Sequence, residues 1–406
     1  MKKTIILLSL IVLSCTQKEK EKELPILKTN SETLSIQEGN VLFPSIWKVS
    51  PELEWDEYTV NKFTGNKKIS FCSDIDTLTF DVVPNNKYEF IVSYKDQKAK
   101  TRIITDTLNA GNLDMLALKY KRLNKDVNIK SDTIPFSIGV DNRIYIEGKV
   151  NNSKPLKLIF DTGANSFAIT TSLIGDKVAM KLDGETLNNG SDGSSIKQTS
   201  SGNTVEVGNL VWDNIIFTSI DYKNRDFDIV MGWTAFADKI VEINYDKKIL
   251  VIHSSLKTIT KGYKKMETMM IDGIPYIKGA ISVNIKNHSG WFEYDTGGNG
   301  SFYLSQKFTQ TNKLNFSNLE LKGTAISSGS QGAKFKSNVY HLPKLKMGDL
   351  ETYEIPIYVA EKDPENLEYK DILGNDLLKR FNAIIDFKNY EVYLKPNQLL
   401  HSKYDL

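Results

Sequence analysis

Two acids in this chain sit in matching contexts: Leu158-Ile159-Phe160-Asp161-Thr162-Gly163-Ala164-Asn165-Ser166 and Trp291-Phe292-Glu293-Tyr294-Asp295-Thr296-Gly297-Gly298-Asn299. In both, an apolar strand runs into an acid, a hydroxyl residue and a glycine. A carboxylate at the end of such a strand is costly to desolvate, so two of them, placed alike, suggest acids meant to meet. Held about 3 Å apart, two carboxyl groups cannot both ionise; one keeps a proton and the other becomes a base. Such a pair can activate water and protonate the oxygen and nitrogen of an amide, which is what hydrolysis without a covalent intermediate requires. Its titration belongs to the pair, so either acid can be the base. Thr162 and Thr296 each offer a hydroxyl to brace the turn or the opposite loop, and Gly163 and Gly297 permit a tight turn with backbone N–H groups close to the carboxylates.

The elements around these acids repeat. A glycine-bearing strand opens each copy, Ile146-Glu147-Gly148-Lys149-Val150 and Ile277-Lys278-Gly279-Ala280-Ile281, followed by a polar loop and the Asp-Thr-Gly. Glycine- and serine-rich stretches come next, residues 184–202 and 323–332, then Val207-Gly208-Asn209-Leu210 and Met347-Gly348-Asp349-Leu350. Each copy then brings an apolar pair onto a glycine, Ile229-Val230-Met231-Gly232 and Ile372-Leu373-Gly374, and closes on a helix and a terminal hairpin containing Val241-Glu242-Ile243 or Ala383-Ile384-Ile385.

With its two Asp-Thr-Gly motifs inside a repeat, the chain resembles the aspartic proteases, both retropepsin-like and pepsin-like, over roughly residues 132–398. The resemblance implies a mostly β body of two tandem retropepsin-like β-barrel lobes, residues 132–257 and 262–398, behind a β-rich N-terminal module. It implies an aspartic endopeptidase with Asp161 and Asp295 as the catalytic pair, supported by Thr162, Gly163, Ala164, Thr296, Gly297 and Gly298, acting on peptide or protein without metal or other cofactor. The Gly/Ser stretches would then be flaps over the substrate; the competing reading is plain surface loops. Many family members carry Ser or Thr after the glycine, where this chain has Ala164 and Gly298. A second function class stays open, an inactive protease scaffold that binds peptide or glycan. Other chemistries find little footing: His253, His288, His341 and His401 are scattered without metal-ligand spacing, and there is no G-x-S-x-G elbow or P-loop.

Residues 24–128 read as a separate β-rich module, either scaffold and spacer or an aid in positioning substrate. Leu78-Thr79-Phe80-Asp81-Val82 and Tyr88-Glu89-Phe90-Ile91-Val92-Ser93-Tyr94 alternate about Pro84-Asn85-Asn86-Lys87, which predicts a hairpin. Trp47 and Trp55 are expected to supply core bulk, and Cys72 to be a buried thiol. The polar segment 119–131 is the expected boundary. At the start, Lys2 and Lys3 precede a short apolar run ending at Ser14-Cys15. This reads as a bacterial lipoprotein signal, residues 1–14, cut before a lipidated Cys15; an ordinary signal peptide is the alternative. The Lys/Glu run up to residue 23 would tether an exported body to a membrane, in the periplasm or at the cell surface. The chain carries 52 Lys/Arg and 50 Asp/Glu, and loss of Lys2 and Lys3 would balance them, leaving no electrostatic footprint for nucleic acid. A monomer is expected, because each copy contributes one acid.

Overall fold

The computed structural model describes residues 24–404, apart from 62, 106–117, 125–130, 223–224, 257–258, 285 and 364–369. The leader, Cys15 and the tether lie outside the described residues. The described chain is almost wholly β.

The N-terminal residues form a sandwich of two sheets. One runs Ile26–Thr29, Lys87–Tyr94, Gln97–Ile104, Asp56–Thr59, and the other contains Val41–Lys48, Thr33–Glu38, Lys67–Cys72 and Thr77–Val82. Alternating side chains from both meet in a core of Leu34, Ile36, Ile69, Phe71, Phe90, Val92 and Ile103. Trp47 packs partly buried against this core, whereas Trp55 lies under the Arg102 guanidinium, 4.1 Å from it. Cys72 is half-buried.

The hairpin predicted around Pro84 does not form. Thr77–Val82 pairs backwards with Lys67–Cys72, while Lys87–Tyr94 pairs forwards with Gln97–Ile104 and with Ile26–Thr29. Alternation identifies a half-buried strand but not its partner. Here the polar turn crosses between sheets, held by Thr105, whose hydroxyl donates to Val83 O at 2.7 Å and accepts from Asn86 N at 2.9 Å.

The rest of the chain builds two halves with one strand order. In the first, Ile144–Val150, Leu156–Asp161, Ile229–Gly232, Phe167–Thr170, Leu210–Ile220, Gly193–Val207 and Gly184–Gly190 lie side by side. In the second, the same places are taken by Ile274–Val283, Lys286–Tyr294, Ile372–Leu373, Phe302–Leu304, Leu350–Ala360, Lys334–Met347 and Leu321–Ser328. Both curl towards closure by pairing the first of these strands with the sixth. The segment expected to be a boundary is in part structural, since Tyr120–Arg122 pairs with Leu210–Ile220 in the first half.

Two seams join these parts. In one sheet, Ser131–Pro135, Ile249–His253 and Ile240–Asn244 of the first half continue into Phe381–Asp386 and Glu391–Pro396 of the second, with Val241 opposite Ile385. The short helices expected before the terminal hairpins are single turns, Trp233–Phe236 and Asn375–Leu378. The sandwich is likewise fixed to the second half: Val41 and Leu42 pair with Met270 and Ile271, and Val41 and Phe43 enter the main core.

Ile385 has no exposed surface and sits in the first of these seams. Ile385→Ala is expected to cost about 3 kcal/mol, typical of a large-to-small core change, read as a lower urea midpoint at unchanged m-value. A loss below about 1 kcal/mol would show that the shared sheet does not hold the halves together.

Candidate active site

Each acid is delivered by a strand buried through to its end. Leu158, Ile159 and Phe160 are all buried, and Asp161 pairs in register with Gly232. In the second half Phe292, Glu293 and Tyr294 are buried, with Tyr294 beside Leu373. Gly232 and Gly374 must be glycine on steric grounds. A Cβ at Gly232 would lie 2.5 Å from Ala164 O, and one at Gly374 2.3 Å from Gly300 O. This close approach lets the following turns donate into the acid loops, from Trp233 N to Ala164 O at 2.9 Å and from Asn375 N to Gly298 O at 2.7 Å.

The structure brings the two Asp-Thr-Gly loops together through their threonines, which are completely buried. The Thr162 hydroxyl donates to Tyr294 O at 2.6 Å and accepts from Thr296 N at 3.0 Å. Reciprocally, the Thr296 hydroxyl donates to Phe160 O at 2.7 Å and accepts from Thr162 N at 3.1 Å. Each side chain therefore satisfies backbone groups of the other half that have no access to water.

Above this lock, the carboxyl groups of Asp161 and Asp295 lie side by side, each acting on the other's proton affinity. Gly163 N donates to Asp161 at 2.8 Å and Gly297 N to Asp295 at 2.7 Å. The glycines also make room across the seam: a Cβ at Gly163 would lie 2.8 Å from Asp295 Cγ, and one at Gly297 2.3 Å from Asp161 Cγ. Ala164 packs beside Ile159, Ala168, Ile220, Phe227 and Val230, an apolar wall on the first-half side. Gly298 lies against the Asp295 carboxyl, where a Cβ would sit 3.2 Å from Oδ2, and its backbone favours the ionised form. Desolvation is the largest influence on both acids and pushes both upwards; Asp295 reaches about 8, helped by the adjacent Asp161 charge.

Two contributors carry no motif and are invisible in the sequence. Arg143 is buried, donates from Nε to Gly297 O at 2.6 Å, and pairs through Nη1 with Asp141 at 2.6 Å. Asn142, at φ 64°, donates to Asn299 O at 3.2 Å. This turn of the first half thus braces the acid loop of the second. Glu293 did leave a signal, an ionisable residue in an otherwise apolar strand two places before Asp295.

The Gly/Ser stretches are hairpins whose tips meet. Asn188 Nδ2 donates to Ser330 Oγ at 2.7 Å, Gln331 N to Asp192 Oδ1 at 3.0 Å, and Gln331 Nε2 to Asn188 O at 3.1 Å. Arg225 reaches from the first half to Ser328 O at 2.9 Å. Tyr222, whose hydroxyl burial holds in the protonated form, is within electrostatic reach of both Asp161 and the hairpin-tip Asp192. His253, by contrast, lies in the shared sheet, 2.9 Å from Glu242.

A family model described as aspartyl protease matches residues 146–235. The match contains Asp161-Thr162-Gly163 and the Gly232 that packs beside it, and stops short of the second motif. No curated protein matches the chain. The β-rich body therefore contains an aspartic-protease-like domain of retropepsin type.

Removing one threonine hydroxyl tests the lock. Thr162→Val is nearly isosteric but leaves Tyr294 O and Thr296 N buried without that partner. The expected loss is about 3 kcal/mol, at roughly 1–3 kcal/mol per orphaned group, measured by chemical denaturation. A neutral result would mean that the loops are held by other contacts.

Proposed function

We propose that the chain is an aspartic endopeptidase with Asp161 and Asp295 as its catalytic pair. The observation that carries this reading is the threonine-locked meeting of the two Asp-Thr-Gly loops, which sets one carboxyl group from each half beside the other, with Asp295 pushed up to about 8. Such a pair holds one proton through neutral pH. The ionised acid takes a proton from water as the water oxygen attacks the amide carbon, and the protonated acid gives its proton to the carbonyl oxygen. On collapse the C–N bond breaks, and nitrogen takes the proton collected from water. A hydroxyl of the intermediate returns a proton to the second acid, leaving a carboxylic acid, an amine and the singly protonated pair. The meeting hairpins are the flaps that would exclude bulk water from these steps.

The two halves act as the lobes of one enzyme, and a lipid on Cys15 holds it at a membrane outside the cytoplasm. Supporting this are the short leader apolar run ending at Cys15 and the absence, among the described residues, of any helix long and apolar enough to cross a membrane. Residues 24–128 serve as a scaffold, as their strand pairing with the second half suggests.

Asp161→Asn and Asp295→Asn are each expected to lower peptide hydrolysis at least a hundredfold, and mixing the two variants should not restore it. The wild-type rate should fall as pH rises through about 8, where the pair loses its last proton. An active single variant, or recovery on mixing, would overturn the intrachain pair. A binding protein on an inactive scaffold would bind peptide yet never cleave it.

Cys15→Ser is expected to release the protein from membranes into the soluble fraction, with loss of acyl mass at the N-terminus by mass spectrometry. An unmodified, still membrane-bound variant would require another anchor.

A further inference from the structure

The two halves differ beside the acid pair. Two residues before its aspartate the first half has Ile159, part of the apolar wall, and the second half has Glu293, with 3% of its surface exposed. One oxygen of Glu293, Oε2, accepts from Tyr276 OH at 2.6 Å and is 3.0 Å from Lys370 Nζ. The other, Oε1, points towards the pair: a Cβ built on Gly163 would lie 2.9 Å from it and 2.8 Å from both Cγ and Oδ1 of Asp295. Glu293 Oε1 and the Asp295 carboxyl thus press on the same glycine.

We propose that Glu293 is a positioning residue for the catalytic pair, a third acid kept ionised by Lys370 and Tyr276, whose charge makes the pair hold its shared proton to higher pH. The inference rests on the endopeptidase reading for its kinetic consequence, though not for its electrostatics. The groups facing this carboxylate are Asp295 on its own strand, Tyr276 from the adjoining strand, Lys370 from the segment before Ile372–Leu373, and Asp161 across the seam. Asp272 lies in the field of Lys370, and Arg143 in that of Asp161. Burial pushes the Glu293 carboxyl above its ordinary range, Lys370 and Tyr276 pull it back towards the ionised form, and the Asp295 charge works against them. With Glu293 ionised, full deprotonation would crowd three carboxylates around one ammonium. Replacing Glu293 by a neutral residue removes a negative neighbour and leaves the Lys370 charge unopposed, and both changes favour earlier loss of the shared proton.

The test uses Glu293→Gln, which keeps the shape and an acceptor for Tyr276, in the full chain with 13C-labelled aspartate. The upper titration midpoint of the Asp161/Asp295 pair, assigned with Asp161→Asn, is expected to fall by about one pH unit, the low end of single-charge effects. The alkaline limb of kcat should move with it, lowering the rate roughly tenfold above the limb while KM changes little. Lys370→Met, labelled also with 13C-glutamate, removes the cation that holds Glu293 ionised and must raise the titration midpoint of Glu293 itself. An unchanged pair midpoint in folded Glu293→Gln, or a Glu293 midpoint that does not rise in Lys370→Met, overturns the inference. Should no peptide be cleaved by any form, the endopeptidase reading falls, and the NMR midpoint still decides the role of Glu293.

Discussion

Keeping two carboxyl groups in contact and sheltered from water is the constraint to which the rest of this structure answers. Left alone they would repel or take up water, so the scaffold must hold them from both sides without side chains intruding. The reciprocal threonine bonds do this at the base, and the glycines do it around the acids, where a Cβ at Gly297 would lie 2.3 Å from Asp161 Cγ. Gly232 and Gly374 let the neighbouring backbones approach closely enough to donate into both acid loops. The sheet joining Val241 to Ile385 and the Arg143 brace keep the halves in the register these contacts need.

The arrangement works against stability. A carboxyl group whose value is raised on folding keeps a proton that the unfolded chain gives up, so the folded state loses ground as pH climbs from the ordinary aspartate range towards the raised value, about 8 for Asp295. A site that holds its proton at neutral pH therefore needs compensation elsewhere, and the large common core spanning both halves provides it.

Much of this was legible because it repeats. Two Asp-Thr-Gly motifs with the same apolar-apolar-Gly element downstream implied matching strand orders, and the two halves do share one order. Strand character was readable from alternation, but partners were not: the strands flanking Pro84 looked like a hairpin and lie in opposite sheets. The joining of Val41 and Leu42 to Met270 and Ile271 is a pairing between segments far apart in the chain, with no local signature. Arg143 acts through a backbone carbonyl, which leaves no trace in residue types, and the importance of Glu293 depends on what it faces across the seam.

A pair of acids contributed by two identical subunits looks the same from either end. Here the strand before one acid carries Ile159 within an apolar wall, and the strand before the other carries Glu293, paired with Lys370 from a neighbouring segment. Both residues are buried, so the difference reaches the acids through the strands beneath them, apolar side chains on one side and charge on the other. Exchanging the two halves would exchange those surroundings, so the acid pair has a direction and its two members are not equivalent.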